Sequence, residues 1–249
     1  MAATGERTAV VLAGGVGARM GLDLPKQLIK LRGRTLLEHS IARFDAHPEV
    51  ERVIVMMVPS HLDEARAIAA AYAKVSDVLP GADTRSGTSR AALAAVPDDD
   101  AAVLLHDAVR PLVDDRIISD CFAALRRFDA VDVAIPSADT VVVVTETDGA
   151  EVIDHIPDRA VLRRGQTPQG FRAGLLREAY ARAFADPDFT ATDDCGVVVR
   201  YAPDTSVAVV AGSERNIKVT EPTDVLLAER LLALSAETDV RSEISRSHL

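Results

Sequence analysis

The chain has 249 residues with a formal net charge of -10, 48% hydrophobic and 27% charged residues. This length allows one large α/β domain or two small ones around a real core, and the balance excludes a disordered chain. The acidic charge argues against a general nucleic-acid or anionic-membrane surface. No apolar run approaches the roughly 20 residues of a membrane helix, and Met1 to Arg7 lacks a signal-peptide core, so the expected location is the cytoplasm.

In chain order, apolar β-branched runs alternate with helical stretches. The pattern predicts strand 8–13, helix 35–46, strand 52–58, helix 61–73, strand 75–79, helix 88–96, strand 101–105, helix 114–127 and strand 130–135. Such alternation predicts an α/β fold, a Rossmann-like, mostly parallel twisted sheet with helices on both faces. After Pro136, Thr140 to Thr145 and Glu151 to Ile153 flank Asp148-Gly149, which reads as a β-hairpin. Valines on a hairpin outside an α/β core have little of their own chain to cover them. The expectation is therefore a homodimer through an arm at about 138–160. Helix is expected again over Leu175 to Phe184, strands at 197–201 and 207–210, and a last helix capped by Thr220 ahead of Pro222. Beyond Leu234 the chain turns polar, so residues 1–236 read as one domain with an arm and 237–249 as a frayed tail. Cys121 falls on an apolar helical stripe, and neither it nor Cys195 has metal-ligand spacing.

The first strand empties into Gly14-Gly15-Val16-Gly17-Ala18-Arg19, with Pro25-Lys26-Gln27 beyond. Clustered glycines let backbone N–H groups converge on an anion, so the segment reads as a polyphosphate seat. A Walker loop is ruled out because no Lys-Ser or Lys-Thr pair follows, and a dinucleotide fingerprint fails because its third glycine position holds Met20. Arg19 and Lys26 suggest that the bound phosphate reacts. Asp107 ends an apolar strand, where a carboxylate needs a partner. It reads either as a helix cap or ion pair with Arg110, or as a ligand to Mg²⁺ riding on nucleotide phosphates. Lys218 lies in an apolar, strand-like stretch and reads as an edge residue or a site cation.

Taken together, Leu12-Ala13-Gly14-Gly15, Arg19-Met20, Pro25-Lys26-Gln27, His106-Asp107-Ala108-Val109-Arg110-Pro111, Gln166-Thr167-Pro168-Gln169, Thr192-Asp193-Asp194 and Asn216-Ile217-Lys218-Val219-Thr220 occur in one order. That order resembles the polyol-phosphate cytidylyltransferases, which include the enzymes making CDP-methylerythritol and CDP-ribitol. The resemblance spans residue 8 to about 233. It implies transfer of CMP from CTP to a polyol phosphate with release of diphosphate, aided by Mg²⁺. By the same resemblance, Leu12, Ala13, Gly14, Gly15, Gly17 and Arg19 hold the triphosphate, and Arg19, Lys26 and Lys218 stabilise the α-phosphorus under attack. Asp107 serves the metal or the ribose, and Ala82, Asp83 and Ser89 face the base, with Ser89 preferred over Thr88 because Leu93 follows at the matching distance. Arg110, Thr140, Arg159, Thr167 and Thr192 fall at acceptor-side positions, two of them on the arm. The paired Gly14-Gly15, Gly21 and Gly165 look more like the ribitol-phosphate branch than the methylerythritol branch. Two other readings stay open, a sugar-phosphate nucleotidylyltransferase using another base and a nucleotide-binding regulatory module without chemistry.

Overall fold

A computed structural model describes residues 5–15 and 24–246, with side chains to residue 234. In chain order the elements are β1 (Arg7–Ala13), β2 (Lys30–Leu31), β3 (Arg34–Thr35), α1 (Leu36–Ala46), β4 (Arg52–Met57), α2 (Leu62–Ala69), β5 (Val75–Pro80), α3 (Arg85–Ala94), β6 (Ala102–Asp107), α4 (Asp115–Leu125) and β7 (Ala130–Pro136). There follow β8 (Val143–Thr147), β9 (Ala150–His155), β10 (Arg163–Arg172), α5 (Ala173–Ala183), α6 (Asp194–Tyr201), β11 (Val207–Ala211) and α7 (Pro222–Arg246).

Seven strands form the main sheet in the order β11-β7-β10-β6-β1-β4-β5. All neighbours are parallel except β10, which runs antiparallel to both β6 and β7. The central strands carry continuous apolar runs because both of their faces are buried. On β1, Ala9, Val11 and Ala13 pack with α1, α2 and α4, while Val10 and Leu12 pack with α3, α5 and α6. The chain leaves β1 for β4 on one side and returns to β6 on the other. Their carboxyl ends thus flank a switch point, the place where open α/β sheets bind ligands. Among the described residues, no helix is long and apolar enough to cross a membrane.

Three sequence expectations need correction. Residues 197–201 belong to helix α6 and not to a strand. The Asp193 carboxylate accepts the Gly196 N–H and caps that helix, overriding the strand preference of three consecutive valines. Lys218 lies in an irregular segment between β11 and α7 rather than in a strand. The last helix continues to Arg246, through the region expected as a frayed tail. Strand β10 itself carries no sequence signal, because Gly165, Pro168 and Gly170 interrupt it and its pairing to β7 shifts between Gly165 and Gln169. Gly170 is required there, since a Cβ would stand 2.7 Å from Val131 and 2.8 Å from Leu104.

The hairpin forms as expected. β8 and β9 make a separate two-stranded sheet whose turn holds Asp148 and Gly149 at φ 52° and 76°, as a two-residue hairpin turn demands. Val144 and Ile153 face each other across it and are 45% and 59% exposed.

Candidate active site

The carboxyl ends of β1, β4, β5 and β6 open into a cavity of about 480 Å³. Leu12, Ala13, Gly14, Gly15, Ala82 and Asp83 line it together with Lys26, Asp107 and Lys218, so residues 206 positions apart in sequence meet there. The β1 and β5 ends approach closely: a Cβ on Gly81 would lie 3.0 Å from the Gly14 Cα, so a side chain would push the two loops apart. Gln27 is buried and its amide donates to the Ala13 carbonyl, tying the turn that carries Lys26 to the glycine loop. Gly17 and Arg19 lie outside the described residues.

Asp107 is nearly buried at the end of β6, and cations meet both of its oxygens. Lys218 Nζ stands 2.8 Å from Oδ2, and Arg85 Nε 3.5 Å from Oδ1. Burial alone raises a carboxyl's pKa, but Arg85 and Lys218 outweigh it and hold Asp107 well below the usual carboxylate range. The partner expected for Asp107, Arg110, instead donates from Nη1 to the Asn216 carbonyl at 2.8 Å. Arg85 also reaches away from the cavity, where Nη1 lies 2.6 Å from Oδ2 of the fully buried Asp194. Asp194 in turn accepts the Tyr180 hydroxyl proton.

Behind Asp107 lies a polar brace. The Asp107 N–H donates to Thr167 Oγ1 (3.1 Å), and the Thr167 hydroxyl lies 3.1 Å from His106 Nδ1. His106 Nε2 lies 3.0 Å from the Arg110 carbonyl, which suits a neutral ring protonated at Nε2. Burial lowers the His106 pKa from 6.5 to about 4. The unfolded chain therefore takes up a proton that the folded chain refuses. The contribution of neutral His106 is complete above pH 6.5 and is lost as pH falls towards 4, a difference of about 3 kcal/mol. In urea titrations at pH 7 and pH 4.5, His106→Gln should lose less stability than the parent. Equal losses would contradict this.

The cavity does not gather every expected residue. Ser89 lies on the fully buried face of α3 and is absent from the wall, whereas Thr88 lines it. The preference for Ser89 is thus corrected: Thr88 Oγ1 accepts the Ala82 N–H (3.0 Å) and fixes the loop beside the cavity. Thr167 sits behind Asp107, and Thr192 lines a separate cavity of about 260 Å³ beside α6. Thr140 and Arg159 lie on or next to the exposed arm. Arg85 is the main omission from the expected site. Its nearness to the Thr84 helix cap is readable, but its partner Asp194 is 109 residues away. Among the described residues, no cluster of three or more His, Cys, Asp or Glu side chains can hold a metal.

A glycine-rich strand end, lysines around a polyphosphate-sized cavity and a carboxylate at a sheet switch point define a nucleotidyltransferase of the α/β type. Residues 8–234 match the family model described as 2-C-methyl-D-erythritol 4-phosphate cytidylyltransferase, and the chain belongs to this family of CTP-dependent cytidylyltransferases acting on a polyol phosphate.

The chain is 58% identical, over 90% of its length and 92% of the relative's, to the 2-C-methyl-D-erythritol 4-phosphate cytidylyltransferase of Thermobifida fusca. It is 39% identical, over 96% of its length, to 51% of a bifunctional ribulose 5-phosphate reductase/CDP-ribitol pyrophosphorylase of Haemophilus influenzae. The solved structure of 4-diphosphocytidyl-2C-methyl-D-erythritol synthase from Anaerococcus prevotii superposes with a TM-score of 0.81 at 29% identity, covering 92% of this chain and 96% of that one.

Proposed function

We propose that the chain transfers CMP from CTP to 2-C-methyl-D-erythritol 4-phosphate, releasing diphosphate. The observation that carries this reading is the meeting of Lys26, Lys218, Arg85 and Asp107 with the glycine loop in one cavity. The relative from Thermobifida fusca supports the choice of acceptor. Gly14-Gly15 favours D-ribitol 5-phosphate as a second reading. Parallel assays with CTP and each polyol phosphate decide between them. The expected result is a kcat/KM roughly 10- to 200-fold higher for the methylerythritol phosphate, the range by which a shaped site separates substrates that differ by about one carbon group. A preference for ribitol 5-phosphate would reverse the assignment.

In the proposed reaction an oxygen of the acceptor's phosphate attacks the α-phosphorus in line and forms the new P–O–P bridge. The bond from that phosphorus to the α,β-bridging oxygen breaks, and diphosphate leaves with the electron pair. The nucleophile is already an anion near neutral pH, so no general base is required. Positioning and charge neutralisation carry the rate, as in other phosphoryl-type transfers. The backbone of residues 13 to 17 and Arg19 hold the triphosphate, Lys26 and Lys218 meet charge developing at the α-phosphoryl oxygens, and Ala82, Asp83 and Thr88 bound the base. Arg110 and Thr167, placed next to Asp107, serve the acceptor side through the loop they brace.

Asp107 fits a Mg²⁺ role. Its carboxylate stays ionised, and although Lys218 and Arg85 pair with its two oxygens at 2.8 and 3.5 Å, each oxygen keeps a second lone pair that would face a hard cation. Lys218 and Arg85 repel a bare cation at this carboxylate, so the ion would come with the nucleotide phosphates that supply most of its ligands. Held there, Mg²⁺ would supply neutralisation of phosphate charge.

We also propose that the arm pairs two copies of the chain, bringing Thr140 and Arg159 to the partner's acceptor site. Support comes from Val144, Ile153, Ile156 and Val161, apolar residues left exposed on and beside a hairpin separate from the main sheet. Sedimentation equilibrium should give a dimer for the parent. Val144→Asp combined with Ile153→Asp should give a monomer with a raised KM for the acceptor. A monomeric parent would refute the pairing.

A further inference from the structure

Lys218 sits on no helix or strand, yet its amine reaches Asp107 at 2.8 Å. Residues 212–220 therefore depend on outside contacts for their course, and these come from two side-chain amides. Gln166 makes a reciprocal pair with Ser213: its Nε2 donates to the Ser213 carbonyl at 2.8 Å, and the Ser213 N–H donates to its Oε1 at 3.2 Å. Asn216, fully buried, donates from Nδ2 to the Thr167 carbonyl at 2.8 Å. One backbone bond and one guanidinium complete the docking, the Val219 N–H donating to the Val109 carbonyl at 2.8 Å and Arg110 Nη1 to the Asn216 carbonyl at 2.8 Å.

All these anchors flank Asp107 on the sheet. Val109 and Arg110 follow the end of β6, and Gln166 and Thr167 lie on β10, whose Thr167 also receives the Asp107 N–H. The loop that carries the lysine and the strand that carries the carboxylate thus share one hydrogen-bonded frame. Gln166 both donates and accepts, Asn216 donates from Nδ2, and neither places a net charge beside the cations.

We infer that Asn216 and Gln166 are positioning residues for Lys218, fixing its amine where charge develops on the transferred phosphoryl group. The inference rests on the proposed role of Lys218 in the reaction. A misplacement of about 1 Å in such a group costs on the order of 100-fold in rate. Neither amide lines the cavity, so neither needs to touch substrate.

A double-mutant cycle tests this with the full-length chain, CTP, Mg²⁺ and the polyol phosphate acceptor. Asn216→Ala should lower the single-turnover rate by about 10- to 100-fold while changing the KM for CTP by less than about threefold. In the Lys218→Ala background the same change should cost less than about twofold, because nothing remains to be positioned. Gln166→Ala should show the same dependence and carries the cycle if Asn216→Ala does not melt cooperatively. An equal rate loss in both backgrounds would overturn the inference and leave the role of Lys218 standing. An unchanged rate in Lys218→Ala alone would overturn that role, and the inference with it.

Discussion

Lys218→Ala should lower kcat by about 10²- to 10³-fold and leave the KM for CTP within about threefold, the pattern of a contact that strengthens in the transition state. In the structure the amine already has a partner, since Asp107 stands 2.8 Å away. Its attraction to a bound triphosphate is thereby moderated, and ground-state affinity depends more on the glycine loop. When the α-phosphorus acquires a fifth oxygen, negative charge spreads over its equatorial oxygens, and a preplaced ammonium stabilises it without reorganisation. The lysine is half-exposed, so water replaces part of what its removal takes away. That sets the expected loss at one well-placed donor rather than at the whole catalytic effect. Rapid-quench single turnovers beside steady-state KM values separate the two terms. A large rise in KM at unchanged kcat would make Lys218 a ground-state ligand instead.

Arg85→Met should destabilise the fold by about 3–5 kcal/mol, the cost of leaving a buried carboxylate without its cation. Asp194 has no exposed surface, and its guanidinium partner stands 2.6 Å away. Without Arg85 it keeps only the Tyr180 hydroxyl and the helix N-terminus in which it sits. Combining Arg85→Met with Asp194→Asn should recover part of that loss in urea denaturation, because the orphaned charge is gone. The Arg85 side chain also faces Asp107, so the double variant should regain stability without regaining activity. A double variant less stable than Arg85→Met would show that the Asp194 charge is not the source of the loss.

Much of the fold and the site is legible in the order of residues alone. Gly14, Gly15, Lys26, Asp107 and Lys218 stand out beside apolar segments, and strand ends are readable from runs such as residues 8–13 and 101–105. The hairpin is readable because Asp148-Gly149 supplies the positive φ angles its turn needs. What stays hidden depends on partners distant in sequence. β10 looks irregular because its neighbours β6 and β7, not its own residues, supply the pairing and demand Gly170. α6 escapes a local reading because β propensity loses to an aspartate cap and to burial of Val197 and Val198 against the sheet. Thr88 and Ser89 are adjacent on a helix, so only the direction of α3 decides which of them meets the cavity. The Asn216 and Gln166 clamp is a matter of loop docking, for which the sequence holds no periodic signal.

The most direct test of cytidylyl transfer is a reaction with α-³²P-labelled CTP, Mg²⁺ and 2-C-methyl-D-erythritol 4-phosphate, following label and diphosphate together. The α-phosphate label should move into a CDP-polyol while one diphosphate is released per product, with the other three nucleoside triphosphates poor substitutes. Diphosphate release without labelled product, or no turnover with any polyol phosphate, would contradict cytidylyl transfer as the activity of this chain.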